Sequence, residues 1–219
     1  MRKNIFVTIF VFIIALVPVF YLGAIYNSLP ETIPTHFGFS GKPDSFGSKN
    51  TLWITGAILP VVSIGIYFLL NNLYRIDPKK TAKLSPEIFF KIGMAVVLLF
   101  AALGISIIYA SAHGNFSMRL FLPIMGLFFV YMGNMMHSIK PNYFVGIRLP
   151  WTLEDPDNWR ATHQLAGKLW FIGGIIITIA TLLLPEKIAT IFFFCGVAVI
   201  VLIPIIYSYR YFKSHTPQS

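Results

Sequence analysis

The sequence predicts an all-α membrane protein with six transmembrane helices, on three observations. First, 56% of the 219 residues are hydrophobic and only 11% are charged, whereas soluble domains carry about 25% charged residues. Second, six apolar runs contain no Asp, Glu, Lys or Arg, and each is long enough to cross a hydrocarbon core of about 30 Å. Third, the basic residues cluster at the ends of these runs.

The predicted spans cover residues 5–26, 52–74, 92–111, 120–139, 169–185 and 188–209. The fifth is the shortest, so we expect it to continue a helix that enters from its N-terminal side. Only Glu186 and Lys187 separate the last two spans, which indicates a tight helical hairpin. Ser85-Pro86-Glu87 is typical of a helix start with proline at the first position. We therefore divide the chain into two domains, 1–85 with two spans and 86–219 with four.

The distribution of lysine and arginine predicts the orientation. With the N-terminus in the cytoplasm, the inside segments hold 13 basic residues and the outside segments hold 4. This is the bias of the positive-inside rule. It places both termini and a 140–168 loop in the cytoplasm, and a 27–51 loop outside the cell. The net charge of +9 therefore indicates a lipid bilayer as the partner, and no direct nucleic-acid binding. The first span is longer than a signal-peptide core of about 7–15 residues, so we expect it to be retained.

The 27–51 loop is rich in proline and glycine, which exclude a regular helix and favour turns. Phe37, Phe39 and Phe46 can fold back on the membrane surface or on one another. The loop is either a binding surface or a compact cap over helix ends. His36, Asp44 and Glu31 are candidate metal ligands, but their spacing is not that of a known metal site, and we assign no metal.

The 140–168 loop carries an unusual density of Gly, Pro, Arg, Trp and His. Its 143–147 stretch is apolar and β-prone, and Asp155-Pro156 predicts a capped helix start. From there one helical face carries an aromatic stripe that we expect at the membrane surface, and the opposite face is polar. Trp151 and Trp159 are typical of interfacial anchors. The stripe consists of Trp159, His163, Ala166 and Trp170, and the polar face of Arg160, Gln164 and Lys168.

Arg148 is followed by Pro150-Trp151, so we expect its guanidinium at the level of the lipid headgroups. Its five rigid donors suit a carboxylate, a phosphate or a row of backbone carbonyls, whereas lysine offers only a point charge. We predict a fork-like contact that holds the loop against the Trp159–His163 face, so that lysine replaces Arg148 no better than alanine does. The alternatives are a contact with lipid phosphate for Arg148 and a packing role for His163.

Two motifs resemble a known family of bacterial membrane proteins. Asn142-Tyr-Phe-Val-Gly-Ile-Arg-Leu-Pro-Trp-Thr152, with Trp159-Arg-Ala-Thr-His163 and Gly167, resembles the signature of the SdpI family. The segment from Leu29 to Asp44, Leu-Pro-Glu-Thr-Ile-Pro-Thr-His-Phe-Gly-Phe-Ser-Gly-Lys-Pro-Asp, with Gly47 and Lys49, resembles a small domain of unknown function that is often fused in front of it. With their helices the two motifs span nearly the whole chain.

The resemblance implies a six-span plasma-membrane protein that gives immunity to a secreted toxin peptide of the cannibalism type. Some members also hold a cytoplasmic repressor at the membrane once toxin is bound, whereas many have no assigned role. We expect no cofactor. The candidate residues for toxin binding are Pro34, His36, Phe37, Gly41, Asp44 and Lys49. The candidates for partner binding or signalling are Asn142, Gly146, Arg148, Pro150, Trp151, Trp159 and His163.

Two other classes of function stay open as alternatives. A membrane-face enzyme acting on lipid or peptide would need a site such as Arg148 with His163, but no H-E-x-x-H helix or G-x-S-x-G elbow is present in the sequence. A transporter would need ionisable residues inside the bundle, and the predicted spans contain no Asp, Glu, Lys or Arg. We therefore predict a protein that is not an enzyme.

Overall fold

The computed structural model describes residues 5–38, 41–76 and 85–215. Phe39, which the sequence analysis names, and the segment 77–84 between the second and third predicted spans lie outside the described residues. Within these ranges, six helices are long and apolar enough to cross a membrane, as the sequence predicts. They are α1 Ile5–Ile25, α2 Thr51–Ile76, α3 Pro86–His113, α4 Met118–Met136, α6 Pro156–Leu183 and α7 Glu186–His215, with a single-turn helix, α5 Pro150–Glu154, before α6.

The helix boundaries follow local signals in the sequence. α3 begins at Pro86 as predicted. α6 begins after Asp155, whose carboxylate accepts hydrogen bonds from Asp157 N at 2.8 Å and Asn158 N at 3.2 Å, which confirms the predicted cap. α6 then runs without a break through the predicted fifth span, and two residues separate it from α7. Both the continuous helix and the tight hairpin are therefore confirmed.

The 27–51 loop folds into a β-hairpin, so the prediction of an all-α chain is wrong at this point. Strands β1 Thr32–Phe37 and β2 Pro43–Ser48 pair in antiparallel orientation, with Thr32 opposite Ser48 and Ile33 opposite Gly47. Proline and glycine do exclude a helix, but a two-stranded ribbon consists of edge strands, where both residues are tolerated.

The 143–147 stretch, which is β-prone by composition, forms no strand. Its backbone follows bends because the Asn142 side chain holds it. Asn142 Oδ1 accepts hydrogen bonds from Phe144 N and Val145 N, both at 2.8 Å. These local bonds replace the ladder bonds of a sheet.

The described chain clusters into two compact units, one from residues 1–71 and 90–124 and the other from 72–89 and 125–219. The division after residue 85 stays a prediction about domains. In the first unit the hairpin is anchored through Ile33, which is fully buried in a cluster with Leu22, Leu52 and Ile108 from three helices. This cluster fixes the hairpin on the ends of its helices.

In the second unit, α4 and α6 pack backbone against backbone through glycines. A Cβ atom at Gly133 would lie 2.9 Å from Gly167 O, and one at Gly174 would lie 2.8 Å from Gly126 O. Each helix thus carries two glycines seven residues apart that face glycines of the other. Small residues permit such close approach between helices in membranes.

Candidate functional site

The candidate residues of the hairpin differ in exposure. The His36 and Asp44 side chains are 70% and 53% exposed, and His36 Nδ1 lies 2.5 Å from Asp44 Oδ1. Pro34 and Gly41 are buried. Gly41 has φ +73°, which favours glycine, and its carbonyl accepts a hydrogen bond from Phe116 N at 3.1 Å. His36 and Asp44 are therefore available to a partner, whereas Pro34 and Gly41 shape the hairpin.

The remaining hairpin candidates hold the loop in place. Lys49 Nζ lies 3.0 Å from Glu31 Oε1 and 4.9 Å from the centre of the Tyr26 ring, and its side chain is only 13% exposed. Phe37 packs on Phe116 with ring centres 5.9 Å apart. Lys49 and Phe37 thus stabilise the base and the side of the hairpin.

The structure does not bring the candidate metal ligands together. His36 pairs with Asp44, whereas Glu31 pairs with Lys49. Among the residues described, no group of three His, Cys, Asp or Glu side chains is placed to hold a metal ion.

In the second unit, the face that carries Trp159 and His163 is interior. Both side chains are 1% exposed, and their rings stack with centres 4.0 Å apart. Trp159 Nε1 donates a hydrogen bond to Ile139 O at 2.8 Å. The prediction that Trp159 is an interfacial anchor is therefore wrong, because the end of α4 and the 142–147 stretch cover this face. The exposed Arg160, Gln164 and Lys168 confirm the predicted polar face.

His163 connects α6 to the signature segment, residues 140–155. Its Nε2 accepts a hydrogen bond from Ile147 N at 3.0 Å, so its Nδ1 carries the proton and donates to Trp159 O at 2.8 Å. Gly146 permits this contact. Its φ is +116°, and a Cβ atom there would collide with His163 Nε2 and lie 3.1 Å from the Trp159 ring. No other residue type combines that backbone angle with that space.

Polar residues outside the predicted set complete this interior. Thr152 Oγ1 donates to Ile147 O at 2.8 Å and accepts from Leu149 N at 3.0 Å. Asn158 Nδ2 donates to Ser208 O at 3.0 Å. Thr152, Asn158 and Ser208 are fully buried. The i, i+4 spacing of Asn158 and Thr162 on a largely apolar helix could have indicated buried polar contacts. No local pattern indicates Ser208, which lies 50 residues beyond Asn158 in the chain.

Arg148 makes a different contact from the predicted fork. Its Nη1 donates to Tyr143 O at 2.6 Å, and the side chain is exposed. The partner is a backbone carbonyl, one of the expected types, but it lies within the signature segment itself. One nitrogen bonded to one carbonyl makes lysine a closer substitute than the sequence suggested.

Pro150 and Trp151 begin the short helix α5. Pro150 occupies its first position, where a missing N–H costs nothing. Trp151 is half-buried. Its Nε1 donates to Ser208 Oγ at 3.0 Å, and its ring packs 5.3 Å from that of Tyr209. The segment is therefore tied to α7 as well as to α6.

Hydrogen bonds within the protein hold the signature segment against α6. Both ring nitrogens of His163 are bonded within the protein, and among the residues described no buried side-chain nitrogen or oxygen lacks a partner. A general base needs an accessible nitrogen within reach of a substrate, which His163 does not offer in this structure. The segment and the first turns of α6 instead present an outer surface that includes the exposed Tyr143, Arg148 and Arg160.

In the part of the chain that the structure describes, six apolar helices of membrane-crossing length define a multi-pass membrane protein. The model of the SdpI/YfhL protein family matches residues 138–208, and that of the Domain of unknown function (DUF1648) matches residues 13–60. The chain is 30% identical over 214 residues to the Immunity protein SdpI of Bacillus subtilis, covering 97% of each chain. The protein therefore belongs to the SdpI family and is a multi-pass bacterial membrane protein.

A second, shorter similarity gives no information about function. A 36-residue stretch is 53% identical to an uncharacterized protein of Archaeoglobus fulgidus, covering 16% of this chain and 20% of that protein. No solved structure matches the chain.

Proposed function

We propose that this protein gives the bacterium that carries it immunity to a secreted toxin peptide. The observation that carries the proposal is the similarity to an immunity protein over 97% of both chains. The similar region includes the sequences of both the hairpin and the signature segment.

The hairpin is the surface that we assign to toxin contact, and we place it outside the cell. The 13-to-4 distribution of basic residues supports this orientation. The exposed pair of His36 and Asp44 and the exposed Phe46 ring give a toxin both polar and aromatic contacts. The rigid anchoring of the hairpin limits the entropy lost on binding.

The orientation can be tested by labelling. In a Cys195→Ala background, cysteine at Ser45 is expected to react with a membrane-impermeant thiol reagent in intact cells, and cysteine at Asp157 only after lysis. Both positions are exposed, so reagent access depends on the side of the membrane alone. The reverse pattern would exchange the roles assigned to the two ends of the protein.

The immunity role can be tested with the hairpin itself. Expression in a toxin-sensitive bacterium is expected to protect it, and changing His36, Phe37 and Asp44 together to alanine should lower the tolerated toxin concentration roughly tenfold. The reason is the loss of the exposed pair and of a ring that supports the hairpin. Growth is measured at matched membrane levels, with Ser48→Ala as a hairpin control. Full protection by the triple variant would remove the hairpin from the mechanism.

We further propose that the signature segment, at the cytoplasmic face, holds a repressor when toxin is bound. The exposed Tyr143, Arg148 and Arg160 supply aromatic and charged contacts for a protein partner. Toxin binding would favour a helix packing in which this surface binds the repressor more tightly, as differential affinity for two states requires. Toxin-dependent movement of the repressor from the soluble to the membrane fraction is the expected result. A repressor that stays soluble would restrict the protein to immunity.

A further inference from the structure

A cavity of about 370 Å³ opens in the first unit where the hairpin meets α2 and α3. Its walls are Pro34, Thr35 and Gly47 of the hairpin, the first two turns of α2, and Ile107 and Ser111 of α3. None of the described residues that line it is charged. An apolar cavity of about 150 Å³ is enough to hold benzene, so this space accommodates roughly two aromatic side chains.

The hairpin is shaped to form this cavity. Pro34 and Thr35 are consecutive, yet both line it, whereas neighbours in a regular strand point to opposite faces. The register of β1 and β2 shifts between Pro34 and His36. Such irregularities redirect side chains and are enriched next to sites. Gly47 leaves room for the Thr35 side chain in the wall, because a Cβ atom at Gly47 would lie 3.0 Å from Thr35 Cγ2.

The lining combines hydrocarbon with hydroxyl groups. Leu52, Ile54 and Ile107 supply the apolar wall, and hydroxyls come from Thr35, Thr51, Thr55 and Ser111. The Thr35 and Thr51 hydroxyls donate to Ser45 Oγ and Ser48 O, so they offer a ligand acceptor lone pairs for its N–H groups. A lipid acyl chain has no group that can bond to these hydroxyls. A peptide carries N–H and C=O groups that must find partners when they leave water. The lining therefore fits a polypeptide better than a lipid tail.

The cavity is also continuous with an apolar surface. Ile54, in its wall, is 62% exposed, and Ile58, one turn further along α2, is 53% exposed. A segment with bulky apolar side chains would thus pass from the cavity onto an apolar helix face without burying a charge. A charged segment would lose hydration with no ion-pair partner among the lining residues.

We propose that this cavity is the receptor for an uncharged segment of the toxin peptide, with one or two bulky apolar side chains inside it and peptide groups bonded to the threonine and serine hydroxyls. The proposal rests on the immunity function and adds the contact site and the chemistry of the toxin segment. It extends the toxin surface from the hairpin to Thr55 and Ile107.

A filled cavity tests the proposal in cells. Thr55→Trp is expected to lower the tolerated concentration of a cannibalism-type toxin peptide roughly tenfold, because the indole occupies the space of a toxin side chain. Val61→Trp, on the same helix at a position that is 68% exposed, should leave protection unchanged. Membrane level and thermal stability are matched first. If wild type and Thr55→Trp protect equally, the cavity is not the receptor and the immunity function stands; if wild type gives no protection, both proposals fail.

Photo-crosslinking gives a second readout that does not depend on the folding of a filled variant. Benzoylphenylalanine at Ile58, on the apolar surface next to the cavity, is expected to form an adduct with the toxin peptide, and at Leu69, which is 50% exposed on the same helix, an adduct with lipid only. Mass spectrometry identifies the adducts. A lipid adduct at 58 that excess toxin does not displace, or equal toxin adducts at both positions, would overturn the proposal.

Discussion

Alanine in place of Trp159 is expected to destabilise the folded protein by about 3–5 kcal/mol, the cost of deleting a large buried aromatic side chain. Trp159 is 1% exposed, stacks on His163 and donates a hydrogen bond to Ile139 O. Its loss leaves a cavity between α6 and the signature segment and a buried carbonyl without this partner. Trp159→Phe keeps most of the ring and is expected to cost about 1–3 kcal/mol, mainly through the unpaired carbonyl.

Thermal unfolding of the detergent-purified protein, followed by size-exclusion chromatography, measures these differences. Trp53→Ala is the control, because Trp53 is 40% exposed and its ring centre lies 5.3 Å from that of Tyr26. We expect wild type to be the most stable, followed by Trp53→Ala, then Trp159→Phe, with Trp159→Ala the least stable. Equal melting temperatures for the two alanine variants would show that the signature segment is not held through Trp159.

Two glycine-to-alanine changes are expected to act in opposite directions. Gly133→Ala should destabilise the protein by about 3 kcal/mol, because the added methyl meets backbone atoms of α6, among them Gly167 O and Trp170 C at 2.9 Å. Backbone atoms cannot rotate away as a side chain can, so the two helices must separate. The same change at Gly65 meets nothing within 4 Å and is expected to stabilise α2 by up to about 1 kcal/mol through helix propensity.

Both variants add one methyl group to a helical glycine, so their comparison isolates the helix contact from the substitution itself. The melting temperature in detergent and the fraction of monodisperse protein are measured for each. A Gly133→Ala protein as stable as wild type would mean that α4 and α6 are further apart in the purified protein than in this structure.

The sequence alone was sufficient to predict the helices. Apolar runs without charge, Pro86 at a helix start and Asp155 as a cap are local features, and the structure has each of them where the sequence predicts it. Membrane spans are predictable because the bilayer demands an uninterrupted apolar stretch whose backbone bonds all close within the helix. The same requirement allowed α6 to be predicted as one helix, from the capped start at Asp155-Pro156 through the short fifth span at 169–185.

The hairpin and the cavity beside it required tertiary structure. Proline and glycine exclude a helix at 27–51, but the pairing of Thr32 with Ser48 depends on Ile33 being buried among three helices. The bulge that places Thr35 in the cavity wall has no sequence signal. Composition reports which conformations are excluded, and long-range packing selects among the rest.

In the signature segment and the start of α6, too, some features could be predicted from the sequence and others required the tertiary structure. The sequence identified Gly146, Trp159 and His163 as unusual but assigned Trp159 to the membrane surface, because an aromatic stripe on a helix looks the same whether lipid or protein covers it. Only the fold shows that protein covers this face. Ile147 N donates a hydrogen bond to His163 Nε2, and Trp159 Nε1 donates one to Ile139 O. The sequence by itself determined the spans, their caps and the residues that carry the family signature. The tertiary structure decided which of those residues are interior and which are accessible, because burial depends on contacts between segments that are far apart in the chain.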